Sequence, residues 1–227
     1  MTQYTWPGWK VNRFEMRVIP NTRSFTGPYT PNVQTLDFFG ERWSIRAAIV
    51  PTNDPIQTAA REAFWDRLKG MANTVALWHL KIKAPQGTMR DGATIGITNT
   101  AGQALNLVNT SGQALGLISG TPTLGAAVAQ FANTCTLRCA PGKTLRAGDM
   151  VGIAGQLVRI MADATADGSG NLAIEFQPRA RAAWPIYSAV VWNAPTANFM
   201  LKAGDGVPTS WVPGAADGAD VEFIEAL

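Results

Sequence analysis

Apolar and polar residues alternate in two runs near the start of the chain: Phe14, Met16 and Val18, then Trp43, Ile45, Ala47 and Ile49. A period of two sets one side of an extended backbone against a core, so both runs predict half-buried β-strands. Gly40, ahead of the second run, predicts a bend or hairpin turn. Between the runs, residues 21 to 32 (NTRSFTGPYTPN) contain Gly27, Pro28 and Pro31, which exclude regular structure and predict a loop projecting from the sheet. The period then becomes helical. Asp54 is placed to cap a helix, Pro55 suits its first position, Ala60, Phe64 and Leu68 form an apolar stripe, and Gly70 stands where a left-handed cap is expected. This helix should pack on the sheet. Residues 74 to 80 (TVALWHL) predict another strand.

The middle of the chain has a different character. From Gly92 to Leu137 there are 46 consecutive residues without Asp, Glu, Lys, Arg or His, and within them NTAGQALNLV (99 to 108) is followed directly by NTSGQALGLI (109 to 118). Asn-Thr-x-Gly predicts a turn and the alternation after it a short strand, so the pair reads as a hairpin or as two rungs of a ribbon. Two copies are too few for a solenoid, which needs about three to bury a continuous core. This segment is expected to become ordered mainly by contact with other subunits. Short hairpins follow, with turns at Ala147-Gly148-Asp149, at Ala154-Gly155-Gln156 and over residues 167 to 171 before the alternation Leu172, Ile174, Phe176. Further strands are predicted at 188 to 192, 197 to 201 and 221 to 227. The fold class is therefore mainly β, with one flanking helix and a small β domain of barrel or sandwich type.

Composition adds a functional constraint. Apolar residues make up 46% of the chain but charged residues only 15%, against about 25% in an average soluble domain. A surface so poor in charge is expected to be covered by neighbours, which favours an assembly subunit. Thirteen of the nineteen basic residues are Arg, a residue enriched at interfaces, although a plain Arg-for-Lys bias gives the same count. A net charge of +3 spread along the chain does not make a nucleic-acid footprint. Cys135 and Cys139 are too few for a disulfide framework and fit synthesis in a reducing cytoplasm. The N-terminus lacks the basic and apolar regions of a signal peptide, and no stretch reaches the ~20 apolar residues of a membrane span, so no membrane insertion is expected.

Few residues carry catalytic or cofactor chemistry. His79 is the sole histidine and lies in the apolar run Leu77-Trp78-His79-Leu80, where a packed or surface role is expected over catalysis. Gly142-Lys143-Thr144 resembles the end of a phosphate loop, but the glycine required five residues earlier is Leu137. Asp163, Thr165, Asp167 and Gly168 resemble the opening of a calcium loop, yet its twelfth position is Ile174, and a hairpin turn is the better reading. A carboxylate pair of the glycosidase kind cannot be placed from sequence. No enzyme activity, cofactor or metal is expected. Of eight tryptophans, Trp43, Trp65, Trp78 and Trp192 read as core. Trp6, Trp9 and Trp211, with Phe25 and Tyr29 of the first loop, are the candidate interface residues.

Several short segments, taken in order, carry a resemblance. They are Arg23-Ser24-Phe25-Thr26-Gly27 in the first loop, the strand around Trp43, and the helix 59 to 70 ending in Trp65-Asp66-Arg67-Leu68-Lys69-Gly70. Then come Leu145-Arg146-Ala147-Gly148-Asp149, the run from Asp163 to Asn171 with Phe176-Gln177-Pro178-Arg179 after it, and the terminal strand 221 to 227. Their order over nearly the whole chain resembles the distal tail and minor tail proteins of long-tailed, siphovirus-type bacteriophages. The resemblance implies a tail-tube-like β-sandwich domain at 1 to 93 and 183 to 227, with an inserted β domain at 94 to 182. It also implies a hexameric ring in the virion tail tip, assembled in the host cytoplasm, that joins the tail tube protein to the baseplate hub protein. Such a ring would enclose the tape measure protein or the exiting DNA. The decapeptide repeat departs from the family pattern. It is read as an arm gripping a neighbour or as a host-facing decoration. The alternative function is a carbohydrate- or receptor-binding module of the tail tip.

Overall fold

The computed structural model describes residues 1–26, 33–92, 121–202, 211–212, 215–216 and 218–226, and, between 92 and 121, residues 94–95, 97–98, 104–105, 107–108, 110–111, 114–115 and 117–118. In chain order the longer elements are β1 (Gln3–Thr5), β2 (Val11–Ile19), β3 (Thr22–Thr26), β4 (Val33–Asp37), β5 (Arg42–Ile49), helix α1 (Pro55–Leu68) and β6 (Thr74–Leu77). Past a series of two-residue strands come β7 (Thr123–Leu124), β8 (Thr134–Arg138), β9 (Met150–Ile153), β10 (Gln156–Ile160), β11 (Asn171–Gln177) and β12 (Val190–Val191), and the chain ends with β13 (Ala197–Leu201) and β14 (Asp220–Glu225). The protein is mainly β, with one helix among the described residues.

The chain divides into two compact units, Met1–Lys83 with Thr196–Leu227, and Ala84–Pro195. The first is a six-stranded sheet in the order β1-β6-β13-β14-β5-β2, antiparallel except where β1 runs parallel to β6. The alternation in the sequence becomes a one-sided core. Trp43, Ile45, Ala47 and Ile49 on β5, Phe199 and Leu201 on β13, and Val221 and Phe223 on β14 are all buried. Each of the larger of these side chains contributes about 1.5–3 kcal/mol by leaving water. The opposite side of the sheet carries Arg46, Glu222 and Lys202, with Glu222 bonded to Lys202 at 2.6 Å and 3.7 Å from Arg46. An antiparallel sheet with one packed side and one polar side accounts for the period-2 pattern.

Helix α1 starts as its sequence predicts, with Asp54 accepting the Ile56 N–H at 2.9 Å and Pro55 in the first turn. Its inward stripe differs from the expected one. Thr58, Arg61, Phe64, Trp65 and Leu68 are buried whereas Ala60 is exposed, because polar Thr58 and Arg61 find local partners. The Thr58 hydroxyl donates to the Asp54 carbonyl at 3.1 Å and Arg61 donates to the Val50 carbonyl at 2.9 Å. The left-handed cap falls on Lys69 (φ 47, ψ 48), one residue before Gly70, which is itself at φ 63. Asn73 closes this end by donating to the Arg67 carbonyl at 2.8 Å while accepting the Thr2 N–H at 2.9 Å. The strand predicted at 74 to 80 stops at Leu77, and the chain turns at His79, whose carbonyl and Nδ1 both accept from the Ile82 N–H.

The loop expected at 21 to 32 is corrected in part. Strands β3 and β4 pair from Thr22↔Asp37 to Thr26↔Val33, forming a two-stranded antiparallel ribbon. The proline and glycine residues that argued against regular structure fall at 27 to 32, outside the described residues, and so do not interrupt the pairing.

The second unit is built on a barrel. Its strands run β7-β8-β11-β10-β9-β12, and a bridge between Thr123 and Ala189 joins the last strand back to the first. The interior holds Leu137, Leu145, Val151, Ile160, Leu172, Phe176 and Trp184, with Trp184 stacked on Phe176 at 5.2 Å between centroids. Ala154 (φ 48) and Gly155 (φ 83) make the two-residue turn between β9 and β10, a left-handed pair that matches strand twist. The boundaries drawn from sequence at 93/94 and 182/183 differ from those found, because both flanks belong to the barrel. Residues 86 to 89 are bound to Asp149 and Thr144, and Trp184 and Val190 lie in the core.

Asp149 is the polar keystone of that attachment. It is 0% exposed, and its carboxylate accepts the N–H groups of Gln86 at 2.7 Å, Gly87 at 3.1 Å and Arg146 at 2.8 Å. Gly87 is required by proximity, since a Cβ there would lie 2.1 Å from the Thr144 carbonyl oxygen. The LRAGD segment is thereby explained as local architecture.

In the decapeptide region the two copies pair antiparallel as a hairpin through Leu107–Val108 and Ala114–Leu115, but they are not alone. Ile97 and Thr98 pair with Leu105 and Ala104, Leu107 and Val108 with Leu115 and Ala114, and Leu117 and Ile118 with Ile95 and Thr94. Adding ten to each partner of the first pairing gives the second, and the third returns to the beginning of the segment. Three decapeptides therefore pair in a cycle, each strand shared between two neighbours. The copy at 94 to 98 escapes notice because its ten-residue window, 89 to 98, keeps little more than Gly92 and the apolar pair Ile95 and Ile97, which correspond to Gly102, Leu105 and Leu107 and to Gly112, Leu115 and Leu117.

Candidate functional site

The ribbon of β3 and β4 is the main feature that the first unit leaves uncovered. Registered partners share one side of a sheet, so Arg23, Phe25, Gln34 and Leu36 lie on one side while Thr22, Ser24, Thr35 and Asp37 lie on the other. Residues 22–25 and 34–36 are exposed on both sides, and Phe25 (53%), Leu36 (51%), Phe38 (46%) and Phe39 (46%) form an apolar group along the ribbon and at its base. The base is tied down by Phe38 N–H donating to the Asn21 carbonyl at 3.0 Å and Phe39 N–H donating to Asp37 at 3.1 Å. Phe39 adopts φ 46, a backbone region that bulky residues seldom occupy. Two strands alone are marginally stable in water. An amphipathic ribbon with both sides exposed thus has the character of a contact arm.

A groove of about 450 Å³ lies at the other end of β2, lined by Trp6, Trp9, Lys10, Trp78, Leu80 and Lys81 among others. Trp6 and Trp9 belong to an edge-to-face cluster with Phe64, Trp65 and Phe223, at centroid separations of 5.1–6.5 Å. Arg61 sits 5.8 Å above the Trp9 ring. Trp6 is only 4% exposed, and its Nε1 has no hydrogen-bond partner among the described residues. Lys81 donates to the Val11 carbonyl at 3.0 Å, closing one side.

The five candidate interface residues separate. Trp6 is buried in the aromatic cluster and is not a freely displayed anchor, because α1 and β14 pack against it. Trp9 is half-buried at the groove. Phe25 is exposed on the ribbon as a contact residue must be. Tyr29 lies outside the described residues, and Trp211 occupies a two-residue strand paired with 215–216. Leu36, Phe38 and Phe39 were missed, although an apolar cluster abutting Gly40 was a readable signal.

The polar groups considered for chemistry have structural occupations. The His79 ring packs edge-on against Phe14 at 4.9 Å. Asp163 accepts from the Ala147 N–H at 2.8 Å and from Arg146 at 2.6 Å, which together hold its carboxyl below the usual range. Asp167 accepts from the N–H groups of Asn171 and Ser169 and from the Asn171 side chain, with the same effect, and so caps the turn at 167 to 171. Burial pushes Cys135 to about 12 and Cys139 to about 11, leaving both as protonated thiols. Among the described residues no three His, Cys, Asp or Glu side chains gather as a metal site, and no helix is long and apolar enough to cross a membrane. Compared with known proteins, the sequence matches no family model and no curated protein.

Proposed function

We propose that this chain is a structural subunit of a phage tail tip, which associates with copies of itself in a ring of the distal tail type, joining the tail tube to the baseplate hub. The ribbon carries the reading: an amphipathic two-stranded element, exposed on both sides and bearing Phe25, Leu36, Phe38 and Phe39, gains stability when a neighbour covers it. The contrast between the units agrees with this. The barrel closes its strand edges through the Thr123–Ala189 bridge, whereas the sheet of the first unit leaves β1 and the nine-residue β2 at its margins. Arg13, Glu15 and Arg17 along β2 restrict indiscriminate strand addition there. The order of segments that resembles tail-tip proteins gives the ring its proposed place in the virion.

Native mass spectrometry of the purified chain tests the reading. A discrete oligomer, six-fold on the tail-ring model, is expected, and Phe25→Ser with Leu36→Ser should shift it toward monomer while leaving the far-ultraviolet circular dichroism spectrum unchanged. A wild-type chain that stays monomeric from micromolar to millimolar concentration refutes it.

A further inference from the structure

The tryptophan groove carries positive charge without its complement. On the polar side of the sheet Arg46 and Lys202 share Glu222, and Arg13 pairs with Glu15. Around the groove stand Lys10, Arg61 and Lys81, and among the described residues none of the three has a carboxylate within ion-pair distance. Lys10 and Lys81 are exposed and line the groove, and Lys81 commits only one of its three donors, to the Val11 carbonyl. Arg61 is 7% exposed and adjoins two lining residues, donating to the Val50 carbonyl and lying 5.8 Å from the centre of the Trp9 ring. Its Nε has no hydrogen-bond partner among the described residues. A covered guanidinium with no carboxylate beside it is costly, and its charge favours an anion nearby.

The side chains lining the groove are indoles, aliphatics and ammoniums, with no carboxylate, amide or hydroxyl among them. Every polar side chain there is a donor, so its complement is rich in acceptors and negative. Trp9 and Trp78 are half-buried, which leaves part of each indole accessible. An indole face is the negative pole of the ring quadrupole and attracts positively polarised C–H bonds. A pyranose presents such a C–H side with its oxygens at the rim, and a sugar acid adds a carboxylate there, within the compass of flexible lysine stems. A nucleobase fits less well, because its amino groups need acceptors that these side chains do not supply. The volume, about 450 Å³, falls within the range of small-molecule sites. We propose that the groove binds an acidic saccharide, with a pyranose packed on Trp9 and Trp78 and its carboxylate held by Lys10 and Lys81. All these residues belong to one chain, so the site does not depend on the ring.

The test is calorimetric titration of the full chain at about 0.15 M salt, where attraction between exposed charges is screened beyond ~8 Å. The probes are oligogalacturonate and oligohyaluronate, with maltohexaose as a neutral saccharide and hexaglutamate and hexathymidylate as anions of other classes. At least one acidic oligosaccharide is expected to bind on the order of tenfold or more tightly than each of the other three. Lys10→Gln and Trp78→Ala should each weaken that binding by about tenfold, the scale of one charge-assisted hydrogen bond or one lost ring contact. Arg138→Gln removes the same charge from an exposed site on the barrel and should leave binding within twofold. Lys10 is exposed, so its variant keeps the test valid if Trp78→Ala fails to fold. The proposal is overturned if neither acidic oligosaccharide binds, if maltohexaose, hexaglutamate or hexathymidylate binds as tightly, or if Lys10→Gln leaves binding unchanged. None of these results bears on the oligomer seen by native mass spectrometry, and a chain that binds as a monomer upholds this site while removing the ring.

Discussion

Replacing Asp149 by Asn keeps the volume and shape of the side chain and removes one acceptor oxygen, which isolates hydrogen bonding from packing. The carboxylate holds three N–H groups, those of Gln86, Gly87 and Arg146, at a site 0% exposed. An amide presents a single oxygen. In either orientation at least one of the three donors loses its acceptor and faces an NH₂ group instead. A buried donor without a partner costs about 1–3 kcal/mol, and hydrogen bonds to charged groups are the stronger ones. The expected loss is therefore roughly 2–4 kcal/mol for Asp149→Asn and more for Asp149→Ala, against a total stability of about 5–15 kcal/mol. The effect should be confined to the barrel unit, where both cysteines lie, so native-state thiol labelling of Cys139 reads it without interference from the sheet unit. Labelling that follows the opening equilibrium rises tenfold for each ~1.4 kcal/mol, giving about 30- to 700-fold for Asp149→Asn. If that variant labels within about twofold of wild type, the three-donor account of Asp149 is wrong.

Two further outcomes follow from the same geometry. Gly87→Ala should destabilise the barrel by at least 1–3 kcal/mol as ordinary overpacking does, about a tenfold or greater rise in Cys139 labelling, because its Cβ would meet the Thr144 carbonyl oxygen at 2.1 Å; labelling like wild type would show that the strap at 86 to 89 yields freely. Acid stability should reflect Asp163, Asp167 and Glu222, all held below their ordinary values by the hydrogen bonds they accept, with Lys202 the main cause for Glu222. Their folded-state affinity for protons is lower than their unfolded one. The stabilisation is thus complete above the ordinary carboxylate range and is lost as pH falls through it toward the lower folded values. Asp163→Asn and Asp167→Asn should flatten the acid limb of a stability-against-pH curve, and an unchanged limb would show that these turns are not coupled to unfolding.

Elements set by local periodicity were legible in the sequence. The strands around Met16 and Ile45 and the capped start of α1 each depend on a few neighbouring residues, so the pattern sufficed. What escaped depended on partners distant in sequence. Arg61 faces inward because Val50 offers a carbonyl there and Trp9 a ring, neither of which its own helix announces. Trp6 looked free because its neighbours in sequence are polar or Pro, while its neighbours in space are Phe64, Trp65 and Phe223. Prolines at 28 and 31 were extended into an argument against strand over the whole of 21 to 32, but a proline constrains only its own position and the one before it, and β3 and β4 pair on either side of that segment. The barrel's attachment through Asp149 joins residues about sixty positions apart, beyond any local pattern.

The cyclic pairing of the decapeptides bears on how this part of the gene can change length. A hairpin or solenoid can gain or lose one unit at an end and keep the rest. Here every decapeptide is the middle member of the set: removing one leaves two strands whose free halves have no complement, and adding a fourth opens the circuit. Drift by one residue is equally excluded, since a register held at both halves of each strand cannot slip in one without breaking the other. Length variation among related genes should therefore accumulate on either side of residues 94 to 118, with the segment itself kept or lost as a block.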